Sequence, residues 1–115
     1  MTQDMPLEVV CERRGDAAVL VVRGELDLST VDALRDVLRS QEARAGIVVL
    51  DLRDLQFIDS SGLSLIVSEQ QRSREDGFRL AIAVGGAPAV QRLFELTGLQ
   101  GTLTLVEDPD AALVA

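Results

Sequence analysis

The chain has 115 residues, a formal net charge of -8 and a hydrophobic content of 47%, with 3% aromatic residues and neither Trp nor Tyr. This length and apolar content predict one domain over residues 1–115 with an aliphatic core. Because the negative charge repels phosphate backbones and few aromatic rings are available for base stacking, direct nucleic-acid binding is not expected.

No apolar run approaches the roughly 20 residues needed to span a bilayer, and the N-terminal segment lacks the basic and apolar regions of a signal peptide. The chain is therefore expected to be soluble and cytoplasmic, without membrane insertion. It has a single cysteine, Cys11, and no histidine, which excludes an internal disulfide and the usual zinc and Cys–His catalytic sites. Alternation with Leu7 and Val9 predicts an inward, structural position for Cys11.

The first predicted element is a β-hairpin. Apolar and polar residues alternate over 7–12, Gly15-Asp16 breaks the run, and an apolar stretch follows over 17–22. The segment Gly24-Glu25-Leu26-Asp27 is predicted to be a connection that leads to the first helix.

A helix and a central strand are predicted next. Ser29 stands three residues before Asp32 in a pattern that resembles a capping box, so a helix is expected over about 30–41. The aliphatic run over 47–50 is typical of a strand covered on both faces, and it is the expected centre of the sheet.

The second half of the chain continues the alternation. A helix from about Ser61 is expected to bury its first turns, to be solvated from Glu69 onward and to stop near Gly77. The remaining expected elements are a strand over 79–84, a turn at Gly85-Gly86, a helix from Pro88 to Gly98, a strand over 103–106 and a short helix capped by Asp108. This order predicts an α/β fold with a mixed β-sheet, an initial antiparallel hairpin and packed α-helices.

The most informative segment is LDLRDLQFIDSSGL over residues 50–63, because it places two serine hydroxyls where a helix begins. A nucleophile elbow needs a glycine two residues before the serine and a histidine elsewhere, so serine hydrolysis is excluded. A phosphoaspartate receiver needs a lysine, and the chain has none. The Gly85-Gly86 pair lacks the spacing of dinucleotide and Walker phosphate loops. No catalytic residue, metal ligand or cofactor site is therefore predicted.

Two roles remain open for the serines on the residues alone. A serine at a helix start commonly caps the backbone, and less often it accepts a phosphoryl group.

Three segments carry a resemblance to a known family: residues 50–63, Gly24-Glu25-Leu26-Asp27 and PAVQRLFELTGL over 88–99. Together they resemble the STAS-domain anti-sigma-factor antagonists, in the family's order and over nearly the whole chain. The resemblance implies a non-enzymatic regulator whose unphosphorylated form binds an anti-sigma factor with serine kinase activity and so releases the sigma factor. Nucleotide and magnesium would belong to that partner, and a serine phosphatase is a further conceivable partner.

The resemblance also implies the site. In the family the serine directly after the aspartate is phosphorylated, and that position matches Ser60. Around Ser60, the predicted partner-binding residues are Glu25, Asp27, Ser29, Asp59, Ser61 and Gly62. Among these, Ser61 and Gly62 are assigned mainly to capping and close packing.

Two alternatives from other classes are kept. The chain could be a STAS accessory subunit of a membrane transporter complex that docks on its cytoplasmic ATPase without a phosphorylation cycle. A small-molecule hydrolase is the other, and it would require turnover by the purified protein.

Overall fold

In the computed structural model, the chain folds into a mixed β-sheet covered by helices. The structure describes residues 7–99 and 101–113. Its elements are β1 (Glu8–Arg14), β2 (Ala17–Leu26), α1 (Val31–Glu42), β3 (Ile47–Asp51), β4 (Leu55–Ile58), α2 (Ser60–Asp76), β5 (Arg79–Ala83), α3 (Pro88–Thr97), β6 (Leu105–Val106) and α4 (Pro109–Leu113). The predicted α/β fold with an initial antiparallel hairpin is confirmed. Across these two ranges, no helix combines the length and the apolar character needed to cross a membrane.

The strands lie in the order β1-β2-β3-β5-β6, and β4 pairs separately with β2. Among the strand pairs of the described residues, β1–β2 alone is antiparallel, whereas β2–β3, β3–β5, β5–β6 and β2–β4 are parallel. The predicted central strand is confirmed, because β3 lies between β2 and β5 and its residues Val48, Val49 and Leu50 have no solvent-exposed surface.

The two faces of the sheet bury different amounts of apolar surface. On the thicker face, side chains such as Leu20 and Leu50 share one core with Leu34 of α1, Ile66 of α2 and Phe94 of α3. The thinner face is mostly small residues and is covered by α4; its core is Val19, Val49, Ala81, Ala83 and Ala112. Alternation of side chains along each strand separates the two sets.

The segment predicted as a connection after the hairpin is in fact strand. Residues Gly24–Leu26 complete β2 and pair with β4, a short strand that the sequence did not predict. The pairing register shifts between Gly24 and Glu25. Gly24 has a φ of 98°, which residues other than glycine rarely adopt. This irregularity lets one long strand pair with β3 through its first half and with β4 through its second.

The predicted capping box is also wrong. The helix α1 begins at Val31 after its N-cap residue Thr30, whose side chain makes no capping hydrogen bond. Ser29 donates both its backbone N–H and its hydroxyl to Asp27 Oδ1 instead, at 3.0 Å and 2.7 Å. The loop therefore uses the serine to orient a carboxylate rather than to cap the helix.

The solvated end that polar composition predicted for α2 is confirmed only in part, since Gln71, Arg74 and Glu75 are exposed. Glu69, Gln70 and Ser73 are all buried. Gln70 accepts a hydrogen bond from Thr104 N at 2.9 Å and donates to Leu80 O at 3.3 Å. Because β6 is only 2 residues long, this glutamine adds to the link between β5 and the chain before β6, where Ile82 N also donates to Thr104 O at 2.8 Å.

The inward position predicted for Cys11 is wrong as well. Leu7 and Val9, on the same side of β1, pack against the core, but Cys11 is exposed. The strand β1 is the edge of the sheet, and its residues from Val10 to Arg14 are all exposed.

We expect Cys11 in the native protein to react fully with a disulfide reagent such as Ellman's, because its thiol is exposed. The thiolate released is measured with and without denaturant, and the two reactions should have the same stoichiometry and similar rates. A thiol that reacts only after denaturation would restore the inward assignment.

Candidate functional site

The junction between β4 and α2 is capped by an aspartate. Asp59 has the extended backbone of an N-cap residue, with φ -109° and ψ -171°. Its Oδ1 accepts the backbone N–H of Ser61 at 2.8 Å and that of Gly62 at 3.2 Å, and its carbonyl accepts Leu63 N at 3.0 Å. The first free N–H groups of α2 are thus satisfied by a carboxylate.

Ser60 is the first residue of α2, and it is exposed. Because Asp59 provides the cap, the Ser60 hydroxyl is not needed for it. Ser61, which is half-buried, contributes a backbone N–H to the cap rather than a hydroxyl acceptor. Of the two roles left open for the serines, capping therefore belongs to neither hydroxyl.

Gly62 lets α2 approach the sheet closely. A Cβ at this position would lie 2.7 Å from Leu26 Cγ and 2.9 Å from Ile58 Cγ1, closer than side chains tolerate. Gly62 is buried and has the close-packing role predicted from the sequence. It acts on the site through packing, by holding the start of α2 against the β2–β4 pair.

The pairing of β2 with β4 brings the two predicted acidic loops to one edge. Leu26 and Ile58 are partners in this parallel pair, and Asp59 N donates to Leu26 O at 3.1 Å. Asp27 and Asp59 directly follow these two residues. Both carboxylates therefore lie at the carboxyl end of adjacent strands, and Asp59 directly precedes Ser60.

Asp27 is held as an ionised group by its own loop. Its Oδ1 accepts the hydroxyl of Ser29 at 2.7 Å, the backbone N–H of Ser29 at 3.0 Å and the hydroxyl of Thr30 at 3.3 Å. These hydrogen bonds, that of the Ser29 hydroxyl above all, hold the pKa of Asp27 below its usual value. Glu25 precedes this loop, is half-buried, and pairs with Phe57 across the strands.

An ion pair fixes the turn that leads from β3 into β4. The buried carboxylate of Asp51 accepts Arg53 Nε at 2.9 Å, Arg53 Nη2 at 3.0 Å and Arg53 N at 3.1 Å. The same pair raises the pKa of Arg53. Sequence reasoning gave these residues no role, yet this bidentate contact lies in the turn directly before β4, the strand that leads to Ser60.

The sequence analysis also did not identify three exposed apolar side chains on the elements around the site. Leu28 is 76% exposed in the loop between Asp27 and Ser29, Phe57 is 47% exposed on β4, and Leu96 is 76% exposed on α3. Phe57 and Leu96 line one groove of about 310 Å³ between β4 and α3. The sequence does contain a signal for Leu96, since it lies outside the helical stripe formed by Val90, Leu93 and Phe94.

A family model described as the STAS domain matches residues 8–112. The chain belongs to the STAS domain family. This confirms the resemblance that the three sequence segments indicated. The match runs from β1 into α4 and so includes the whole β2–β4–α2 edge.

Proteins similar to this STAS domain have closely related names. It is 30% identical over 111 residues to an anti-sigma F factor antagonist from Paenibacillus polymyxa, which covers 95% of this chain and 94% of the relative. A crystal structure of an anti-sigma factor antagonist from Mycobacterium paratuberculosis matches with a TM-score of 0.82 and 28% identity, covering 93% and 91% of the two chains. The Bacillus cell fate determinant SpoIIAA in its phosphorylated form matches with a TM-score of 0.68 over 92% and 96%; at 19% identity it shows the fold alone.

Replacing Asp59 tests the cap. Asp59→Ala is expected to lower the free energy of unfolding by about 1 kcal/mol, because two N–H groups lose their acceptor, and Asp59→Ser should recover most of the loss. Urea denaturation measures both variants. Ser60→Ala is the matched control and should stay within about 0.5 kcal/mol of the parent. A loss at Ser60→Ala equal to that at Asp59→Ala would assign the cap to the serine hydroxyl instead.

Proposed function

We propose that this STAS domain is a non-enzymatic anti-sigma factor antagonist that acts in the cytoplasm. Its unphosphorylated form binds an anti-sigma factor that is also a serine kinase, and this binding releases the sigma factor. The names of the relatives support this proposal and do not support the transporter-subunit alternative. The observation that carries the proposal is an exposed serine, Ser60, placed directly after a capping aspartate and outside the cap itself.

Ser60 has the properties of a phosphoryl acceptor. In the proposed transfer, Ser60 Oγ forms a bond to the γ-phosphorus of the partner's ATP, the bond from that phosphorus to the β,γ-bridging oxygen breaks, and ADP leaves. Asp59 Oδ1 already accepts two backbone N–H groups. We therefore assign the base that takes the hydroxyl proton to the kinase. A separate serine phosphatase would be needed to return Ser60 to its free form.

The folded domain can carry the added charge. A phosphoserine brings a charge of about -1.5 to -2 at neutral pH. At the start of α2 it meets the positive end of the helix dipole, which favours an anion by about 0.3 to 1 kcal/mol. The modification is thus expected to leave the free energy of unfolding nearly unchanged.

The same charge is expected to weaken binding to the partner. Asp27 is ionised at the same edge, so phosphorylation concentrates negative charge on the binding surface. One like charge brought within about 5 to 6 Å costs about 3 kcal/mol at an effective dielectric near 20. Since 1.4 kcal/mol is tenfold in affinity, the complex would weaken by roughly a hundredfold.

The binding surface combines this polar edge with apolar side chains. Its polar part is proposed to be Glu25, Asp27, Ser29, Asp59, Ser60 and Ser61, supported from beneath by Gly62. The exposed side chains of Phe57 and Leu96 supply apolar area next to it, in one groove. A few side chains that fill a pocket on the partner commonly carry most of the energy of a protein interface.

Phosphorylation by the cognate anti-sigma kinase and radiolabelled ATP tests the acceptor. We expect Ser60→Ala to abolish labelling and Ser61→Ala to retain it. Ser60→Asp should weaken kinase binding by about ten- to a hundredfold in a titration, while Ser40→Asp, an exposed site on α1, should not. Label that persists in Ser60→Ala would place the acceptor elsewhere.

Removing an exposed apolar side chain tests the groove. Leu96→Ser is expected to weaken binding of the unphosphorylated domain to the anti-sigma factor by tenfold or more, with unfolding midpoints unchanged. Val10→Ser, an exposed apolar residue on the edge strand β1, is the matched control and should bind as the parent does. Equal affinity of the Leu96→Ser and Val10→Ser variants would remove the groove from the interface.

A further inference from the structure

Two glutamates are buried against each other between α1 and α2. Glu42 is the last residue of α1, and Glu69 lies in the middle of α2. Their side chains are only 3% and 1% exposed. In the part of the chain that the structure describes, all four carboxyl oxygens lack a hydrogen-bond partner. Since each ionised carboxylate can only accept hydrogen bonds, a proton on one of them is what would join the pair.

The neighbouring cations do not complete this site. Arg39 Nη2 lies 3.8 Å from Glu69 Oε2, while Arg72 Nη2 lies 3.5 Å from Glu42 Oε1 and Arg72 Nε 3.9 Å from Glu69 Oε2. These separations exceed hydrogen-bond length. Arg39 is about half exposed, and Arg72 also faces Asp76 at 3.3 Å. Two partly solvated guanidinium groups thus face three carboxyl groups.

Three physical effects oppose ionisation of both glutamates. Burial removes water from the carboxylates, the two negative charges repel each other, and Glu42 lies at the C-terminal, negative end of the α1 dipole. Desolvation first, and then the hydrogen bond that a protonated Glu42 can form with Glu69 and the charge of Glu69, raise the pKa of Glu42 to about 8 against the opposing pull of Arg72 and Arg39.

We propose that Glu42 and Glu69 share one proton in the folded domain at neutral pH, and that losing it in mildly alkaline solution loosens the contact between α1 and α2. Folding then takes up one proton from solvent. At alkaline pH this proton is released to solvent, and the carboxyl–carboxylate hydrogen bond is lost. The proposal concerns the isolated domain and does not depend on the partner proposed above.

The sign of the pH effect follows from the direction of the shift. The folded state holds the proton more tightly than the unfolded state, where glutamate titrates near 4.5. The stabilisation is therefore complete below about pH 4.5, declines as pH rises and is lost as pH passes about 8. Within this window the folded state binds one proton more than the unfolded state. Each pH unit of increase therefore lowers the folding equilibrium constant by up to about tenfold.

Carbon-13 NMR of the side-chain carboxyl groups, with labelled glutamate, tests the shared proton directly. We expect a glutamate resonance of the wild-type chain to titrate near pH 8, far above the exposed glutamates, and to be absent from Glu42→Gln. In Glu69→Gln the remaining carboxyl should titrate at a different pH, because its partner is changed. The proposal is overturned if every glutamate of the wild type has finished titrating by pH 6.

Urea unfolding between pH 5.5 and 8.5 gives a second readout. The unfolding constant of the wild type should rise relative to that of Glu42→Gln by up to about tenfold per pH unit. Glu75→Gln removes the same charge from an exposed position of α2, and its curve should run parallel to the wild type. A Glu42→Gln curve parallel to the wild type would refute the shared proton, and if that variant does not fold, the wild-type NMR titration decides alone.

Discussion

The site depends on one contact, the pairing of Leu26 at the end of β2 with Ile58 at the end of β4. This pairing aligns the residues that follow each strand, and the Asp59 N–H reinforces it by donating to Leu26 O. The side chains of Leu26 and Ile58 also form the surface against which Gly62 packs. The acidic loop, the cap and the start of α2 thus share one two-residue foundation.

Charge at this edge is arranged by hydrogen bonds rather than by burial. Asp27 and Asp59 both accept hydrogen bonds from the residues two and three positions later in the chain, a local geometry that fixes each carboxylate where its strand ends. Buried charge is found elsewhere, between α1 and α2, where Glu42 and Glu69 lack such donors. The pKa of a carboxyl group is therefore lowered at Asp27 and raised at Glu42, because hydrogen-bond donors are available only to the first.

Sequence reasoning succeeded where one local pattern determined the structure. The aliphatic run of β3 needed no partner to be recognised, and Gly77 and Gly98 end their helices with positive φ as their type predicts. It failed where distant residues decide. β4 is only 4 residues long and exists because β2 extends to pair with it. Gln70 is buried because Thr104 and Leu80 supply its hydrogen bonds.

The site shows the same division. The motif around Ser60 was recognisable from its letters, and so was the close-packing role of Gly62. Both serine and aspartate are good N-cap residues, so only the geometry shows that Asp59 is the cap. The exposure of Phe57 depends on which face of a short strand meets α3, and a single sequence does not contain that information.

The separation between Asp59 and Ser60 has a consequence for how such domains diversify. Asp59 and Gly62 hold the helix start, so substitutions there carry a folding cost, whereas Ser60 is outside both the cap and the packing. A single codon change at Ser60 can therefore remove the hydroxyl that is proposed to accept the phosphoryl group while the scaffold stays intact, and the reverse change can restore it. Under the proposed function, regulation could thus be gained or lost without rebuilding the protein that carries it.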